Sequence, residues 1–217
     1  MGDALHIAVD PGATSGLAGF VGADLRALAV IKRVGASDPW VRVDALRAAL
    51  KALAVPTRKG GQIVGQVVTF ATEDQFLGAP RGSSRAAASM FGSTAKVGAN
   101  AAVWEAVAAL LGLTVLERVL PATHRAAVGA ARGNSRMRDA VVKEVLTARW
   151  PEWSLLDTSD DARAAVMVGV VSMMKASNEH WAPGVAANID GLEWVRQARW
   201  ERQPKRAPTG PKRKRKP

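Results

Sequence analysis

The first third of the chain alternates short apolar runs with turn residues. Residues 7–9 (Ile-Ala-Val) run straight into Asp10-Pro11-Gly12, which predicts a buried strand closed by a tight turn. The aspartate is then held on a rigid element at the rim of a sheet, where it either serves a metal or phosphate site or opens an Asx-turn. Two further strands are expected over 16–21 and 25–34, joined by Gly22-Ala23-Asp24 as an antiparallel meander. Asp38-Pro39 marks a helix start, and Val43, Leu46, Leu50 and Leu53 recur at helical spacing until Pro56. Residues 66–72 predict a strand buried on both sides, and it ends in Glu73-Asp74-Gln75. Two strands that stop at acids are more informative than one.

The remainder is mostly helical in pattern. A glycine-bearing loop over 78–85 holds Arg81 and Arg85, either to grip phosphates or as ordinary surface. An alanine-rich helix over 85–97, closed by Gly98, is followed by Asn100 as the cap of a second helix with Val103, Val107, Leu110 and Leu111 on its buried stripe. A strand over 114–119 leads to Pro121, His124 and Arg125. Arg132, Arg136, Arg138 and Lys143 then spread over a loop and a helix that runs to about Trp150. After a break at Pro151-Glu152-Trp153 comes an apolar helix with Ala162, Ala165, Val166, Gly169, Val170 and Met173, preceded by Asp157, Asp160 and Asp161. Capping and the helix dipole need one aspartate. Three repel one another unless something cationic sits among them.

Composition sharpens this picture in two ways. The 217 residues include no cysteine, so thiolate sites and disulfides are excluded and any metal is held by oxygen or imidazole, which favours Mg²⁺ or Mn²⁺. The net charge of +11 is uneven: residues 199–217 hold nine Lys/Arg against one acid, leaving +3 for everything before them. Such a tail points to nucleic acid before a membrane surface or a solubilising role. No apolar run reaches the ~18 residues of a membrane span, and Asp3 with no basic region ahead of the first strand speaks against a signal peptide. The expected organisation is one α/β domain over 1–177, an extension over 178–203 with a helix near 189–200, and a disordered basic tail over 204–217.

Asp10 and Glu73 at strand ends, with Asp157, Asp160 and Asp161 opening a late helix, form a candidate cradle for divalent cations. Two such ions roughly 3.5–4 Å apart can clamp a scissile phosphate. In these residues the chain resembles the RNase H-like nucleases, and more narrowly the RuvC-type Holliday-junction resolvases, including phage versions. The resemblance covers about residues 5–175. It implies a central mixed five-stranded sheet flanked by helices, and four acids binding two Mg²⁺, with Mn²⁺ as a substitute. It matches Asp10 to the first acid and Glu73 to the second. The last pair, acid-or-His, two residues, then Asp-Ala, is met at Asp161-Ala162, but Thr158 stands where the other acid belongs. Asp157 with Asp161 is the expected pair and Asp160 the substitute. The resemblance also matches His124 and Arg125 to the family's basic segment and implies DNA-backbone roles for Arg132, Arg136, Arg138 and Lys143, a homodimer through the helix after Arg85, and paired nicks in a four-way junction. Arg81 and Arg85 of the glycine-bearing loop are further candidate DNA contacts. The expected setting is a bacterial cytoplasm, with a phage origin also open. Rival readings are a broader branched- or flap-DNA nuclease, a non-catalytic junction-binding protein, and an actin-like ATPase or kinase. The last would need a second phosphate loop, which the sequence does not offer.

Overall fold

The computed structural model describes residues 4–32, 39–74, 84–121, 135–153 and 159–176, with side chains omitted at 84–94, 135–138 and 176. Strands β1 (Leu5–Asp10), β2 (Ser15–Val21), β3 (Asp24–Ile31), β4 (Val68–Thr72) and β5 (Thr114–Val115) form one sheet in the order β3-β2-β1-β4-β5. The meander β1–β2–β3 is antiparallel, while β4 and β5 run parallel to β1. This is the mixed five-stranded sheet that the resemblance implied. The parallel pairing carries β1 and β4 to the same edge, so Asp10 ends β1 there and Glu73 directly follows β4.

Alternation along the strands divides the core into two layers. Ile7, Val9, Leu17, Val68 and Phe70 pack on one face against Leu46, Ala49 and Leu50 of α1 (Pro39–Ala52) and Trp104, Val107 and Ala108 of α2 (Ser84–Leu110). Ala8, Ala18, Phe20 and Ala71 pack on the other against Leu146 of α3 (Ser135–Arg149), Trp150, and the apolar length of α4 (Asp160–Ala176). A short 3₁₀ turn, Pro151–Trp153, links α3 toward α4, and Trp153 Nε1 donates to the Leu25 carbonyl at 3.1 Å.

Helix α4 lies unusually close to the sheet. Small residues at the contact permit it: a Cβ on Gly169 would sit 2.3 Å from Phe20 Cε2 and 3.2 Å from Ala8 Cβ. The far end of the same contact is polar. His6, fully buried, has Nδ1 2.7 Å from Thr69 Oγ1 on β4 and Nε2 2.6 Å from Ser172 Oγ on α4. Both hydroxyls also have backbone carbonyls within reach, Leu5 at 3.1 Å and Gly169 at 3.0 Å. A neutral ring has one acceptor nitrogen, so one hydroxyl turns its proton to the ring and the other donates to its carbonyl. Burial pushes the imidazole down to about 3, so it stays neutral at ordinary pH. Unfolded histidine takes up a proton below pH ~6.5 while the folded ring does not, so the stability present above that pH is lost as pH falls. Urea unfolding between pH 6 and 4 should show wild type losing about 1.4 kcal/mol per pH unit more than His6→Asn. Equal slopes would remove His6 from that pH dependence.

Four details differ from the sequence reading. The two expected helices over 85–97 and 100–111 are one helix, α2, running through Gly98. Glycine costs about 1 kcal/mol there, but the helix is held by burial of Ala101 and Trp104, and Asn100 accepts from Arg42 Nη2 at 3.0 Å instead of capping. The strand expected over 114–119 is regular only at Thr114–Val115, then follows β4 irregularly to a parallel bridge between Val119 and Glu73. Strand β3 stops at Ile31, and Val67, expected inside the strand over 66–72, is exposed ahead of β4. The expected extension over 178–203 and the basic tail over 204–217 lie outside the described residues, as does Asp38.

Candidate active site

Asp10 is the last residue of β1 and pairs with Gly16 across the β1–β2 turn. Its phase along the strand, shared with His6 and Ala8, puts it on the face that α4 covers. The turn between is fixed from within: Ser15 Oγ donates to the Gly12 carbonyl at 3.0 Å. On the neighbouring strand the ladder continues one step past Thr72, with Glu73 N donating to the Val9 carbonyl at 3.1 Å. Glu73 therefore sits beside Asp10, about 4.8 Å away strand to strand. It shares the phase of Thr69 and Ala71, hence the same face, and is only 7% exposed.

The third acid arrives from α4. A Cβ built on Gly16 would fall 1.9 Å from the Asp161 carbonyl oxygen and 2.8 Å from Ala162 N. The first turn of α4 thus rests directly on the backbone of β2 opposite Asp10. Ser159 caps this helix, its Oγ accepting from Ala162 N at 3.2 Å. The cap is therefore not an aspartate, and both Asp160 and Asp161 occupy the first turn. They part company there. Asp160 is exposed and pairs with Arg163, a buried side chain whose guanidinium also lies 3.8 Å from Asp139 on α3. Asp161 is half-buried, and burial, with the charge of Asp160 second, holds its carboxyl above the ordinary value against a smaller opposing backbone hydrogen bond. A carboxylate in that position gains from a nearby cation.

The structure thus sets Asp10 and Glu73 side by side at one end of the sheet and rests the backbone of Asp161 on β2 opposite Asp10, while Asp160 is turned to Arg163. Asp157 lies outside the described residues. Among the described residues no three His, Cys, Asp or Glu side chains are grouped so as to hold a metal ion. The donor chemistry nevertheless fits a hard divalent cation: all-oxygen, two of the three carboxylates on adjacent strand ends, and the third in a desolvated place. The basic residues are less fully placed. Lys143 on α3 forms an ion pair with Asp139 at 3.1 Å. Arg85 falls at the start of α2, and Arg136 and Arg138 at the start of α3. Arg81, His124, Arg125 and Arg132 lie outside the described residues.

Sequence reading missed a group of three residues on the reverse face. Arg118 grips Glu105 of α2 through Nε at 2.7 Å and Nη2 at 2.8 Å, and Thr72 Oγ1 donates to the same Glu105 at 2.8 Å. Burial works to raise the Glu105 carboxyl, but the hydrogen bonds from Arg118 and Thr72 and the guanidinium charge prevail and hold it below the usual range. The three residues lie far apart in sequence with no periodic relation, so no local pattern could have paired them.

No family model matches the sequence, and no curated protein matches it. Among solved structures the chain is similar to that described as Thermus thermophilus RuvC in complex with Holliday junction substrate, at 13% identity and a TM-score of 0.49, covering 76% of this chain and 90% of that one. It is also similar to a second Thermus thermophilus RuvC structure, at 15% identity and a TM-score of 0.46, covering 79% of this chain and 94% of that one.

Proposed function

We propose that this chain is a divalent-metal-dependent endonuclease for branched DNA, with the four-way junction as its foremost substrate and a homodimer as its working form. The observation that supports the reading is that Asp10 and Glu73 stand side by side on the face that α4 covers, with the backbone of Asp161 at the start of α4 resting on β2 opposite Asp10. Asp10, Glu73 and Asp161 would hold two Mg²⁺, with Asp157 as the fourth acid. Bound there, the ions would activate a water and stabilise the leaving 3′ oxygen. The chain's own part is to hold the carboxylates ready. Glu73 is fixed by its backbone bond to Val9, Asp10 by the turn that Ser15 closes, and Asp161 by the Ser159 cap. Basic residues at the starts of α2 and α3, with Arg125 and Arg132 before α3, would take the DNA phosphates.

The test is Mg²⁺-dependent cleavage of a labelled immobile four-way junction beside linear duplex, splayed arms and a flap. Paired symmetric nicks confined to the junction support the dimeric resolvase. Cutting of several branched forms makes this a broader debranching nuclease, and binding without cutting in Mg²⁺ and Mn²⁺ contradicts the catalytic reading. The tail is expected to act as a general electrostatic anchor. Deleting residues 204–217 removes seven Lys/Arg. It should weaken binding to every DNA form and lower the slope of log K against log salt by about 0.9 for each phosphate that the tail neutralises. An unchanged slope would make the tail a bystander.

A further inference from the structure

Resting on that reading, we infer that Thr72, Glu105 and Arg118, with Trp104 beside them, form a positioning device that sets Asp10 and Glu73 from the reverse face of the sheet. Trp104 and Glu105 are consecutive on α2; Trp104 reaches Ser15 across the turn that follows Asp10, and Glu105 reaches the end of β4 just before Glu73. Buried Trp104 donates from Nε1 to Ser15 Oγ at 3.3 Å, and Ser15 in turn holds the Gly12 carbonyl in the turn after Asp10. Arg42 of α1 lies over the Trp104 ring, 5.6 Å from its centroid, and reaches Asn100 one helical turn earlier, so the indole is fixed from behind.

Glu105 does the same for the other strand. Its carboxylate accepts from Thr72 directly before Glu73, and it is gripped by Arg118, whose Nη1 lies 3.7 Å from Asp74 directly after Glu73. The backbone closes the frame, with Asp74 N donating to the Val119 carbonyl at 2.8 Å and Val119 N to the Thr72 carbonyl at 2.9 Å. Residues 72 and 74 are therefore tethered on the α2 face, and the intervening Glu73 is left to present its carboxylate on the α4 face. The irregular path after β5 gains a purpose here: leaving the ladder lets Arg118 turn toward α2. None of these groups touches the reacting atoms, so their effect passes through the placement of Asp10 and Glu73.

The experiment is Mn²⁺ titration of the full-length protein without DNA, followed by electron paramagnetic resonance, on wild type, Thr72→Val, Thr72→Ser, Glu105→Gln, Arg118→Met and the remote Glu117→Gln. Outer-shell partners of this kind change metal affinity by about 10–100-fold. Thr72→Val, Glu105→Gln and Arg118→Met should each weaken Mn²⁺ binding at least about tenfold, and raised Mg²⁺ should restore junction cleavage in part. Thr72→Ser keeps the hydroxyl and should bind like wild type, as should Glu117→Gln. Junction affinity in EDTA should not change in any of them. Thr72→Val keeps side-chain shape, so it reports even where a charge change prevents folding. Wild-type Mn²⁺ affinity in the folded Thr72→Val and Glu105→Gln proteins, whatever their melting temperatures, would overturn this inference alone. A wild type that binds no Mn²⁺ would overturn the nuclease reading and this inference with it.

Discussion

Asp10→Asn and Glu73→Gln should each abolish junction cleavage while leaving junction binding in EDTA close to wild type. Each neutral isostere keeps its shape and its backbone bonds but loses the charge that a divalent cation needs. The site is asked to supply several kcal/mol of charge stabilisation, and losing about 4 kcal/mol of it corresponds to roughly a thousandfold in rate. The basic surface that would take the DNA phosphates is untouched by either change. Single-turnover cleavage and a filter-binding or mobility-shift titration separate the two effects. Undiminished cutting by either variant would take that residue out of the mechanism. Loss of binding in parallel with cutting would mean that the substitution had damaged more than the cation site.

Gly16→Ala should be the most damaging single-methyl change in the described residues near the site. Its Cβ would lie 1.9 Å from the Asp161 carbonyl oxygen and 2.3 Å from the carbonyl carbon, both backbone atoms. Flexible side chains can turn away from such a contact, but a helix terminus cannot, so the start of α4 must retreat by about 1 Å or more in a close-packed interior. Overpacking of this kind costs about 3 kcal/mol. The retreat also carries Asp161 away from Asp10, so cleavage should fall beyond what the stability loss explains. Gly98→Ala is the comparison. No described residue outside the helix's own backbone lies within 4 Å of that position, and it sits inside a helix, so the methyl should stabilise by up to about 1 kcal/mol. Thermal unfolding and cleavage of the two proteins should therefore move in opposite directions. A Gly16→Ala protein as stable and active as wild type would mean that α4 does not rest on β2 at this point.

Much of this arrangement is legible in the chain because it is written in local chemistry. Ile7-Ala8-Val9 stopping at Asp10-Pro11-Gly12, and residues 68–72 stopping at Glu73, announce strands that deliver acids. Apolar periodicity likewise announces α1 and α4. What escaped depends on contacts between distant residues. Gly98 and Asn100 look like a helix end and a cap, yet the pairing of Asn100 with Arg42 and the burial of Trp104 carry α2 through them. The aspartates before Ala162 could not be sorted by spacing. The Ser159 cap and the buried Arg163 do that sorting, drawing Asp160 aside, while the backbone of Asp161 rests on β2. The bond between Glu105 and Arg118 has no signature short of the fold itself.

The central claim is that Asp10, Glu73 and Asp161 act as one cation site, and crystals grown with Mn²⁺ and measured at the manganese absorption edge test it most directly. The expected result is an anomalous peak bonded by Asp10, Glu73 and Asp161 at the shared edge of β1 and β4, absent from Asp10→Asn crystals. A fully occupied peak elsewhere, or none at this edge at Mn²⁺ concentrations that support cleavage, would contradict it.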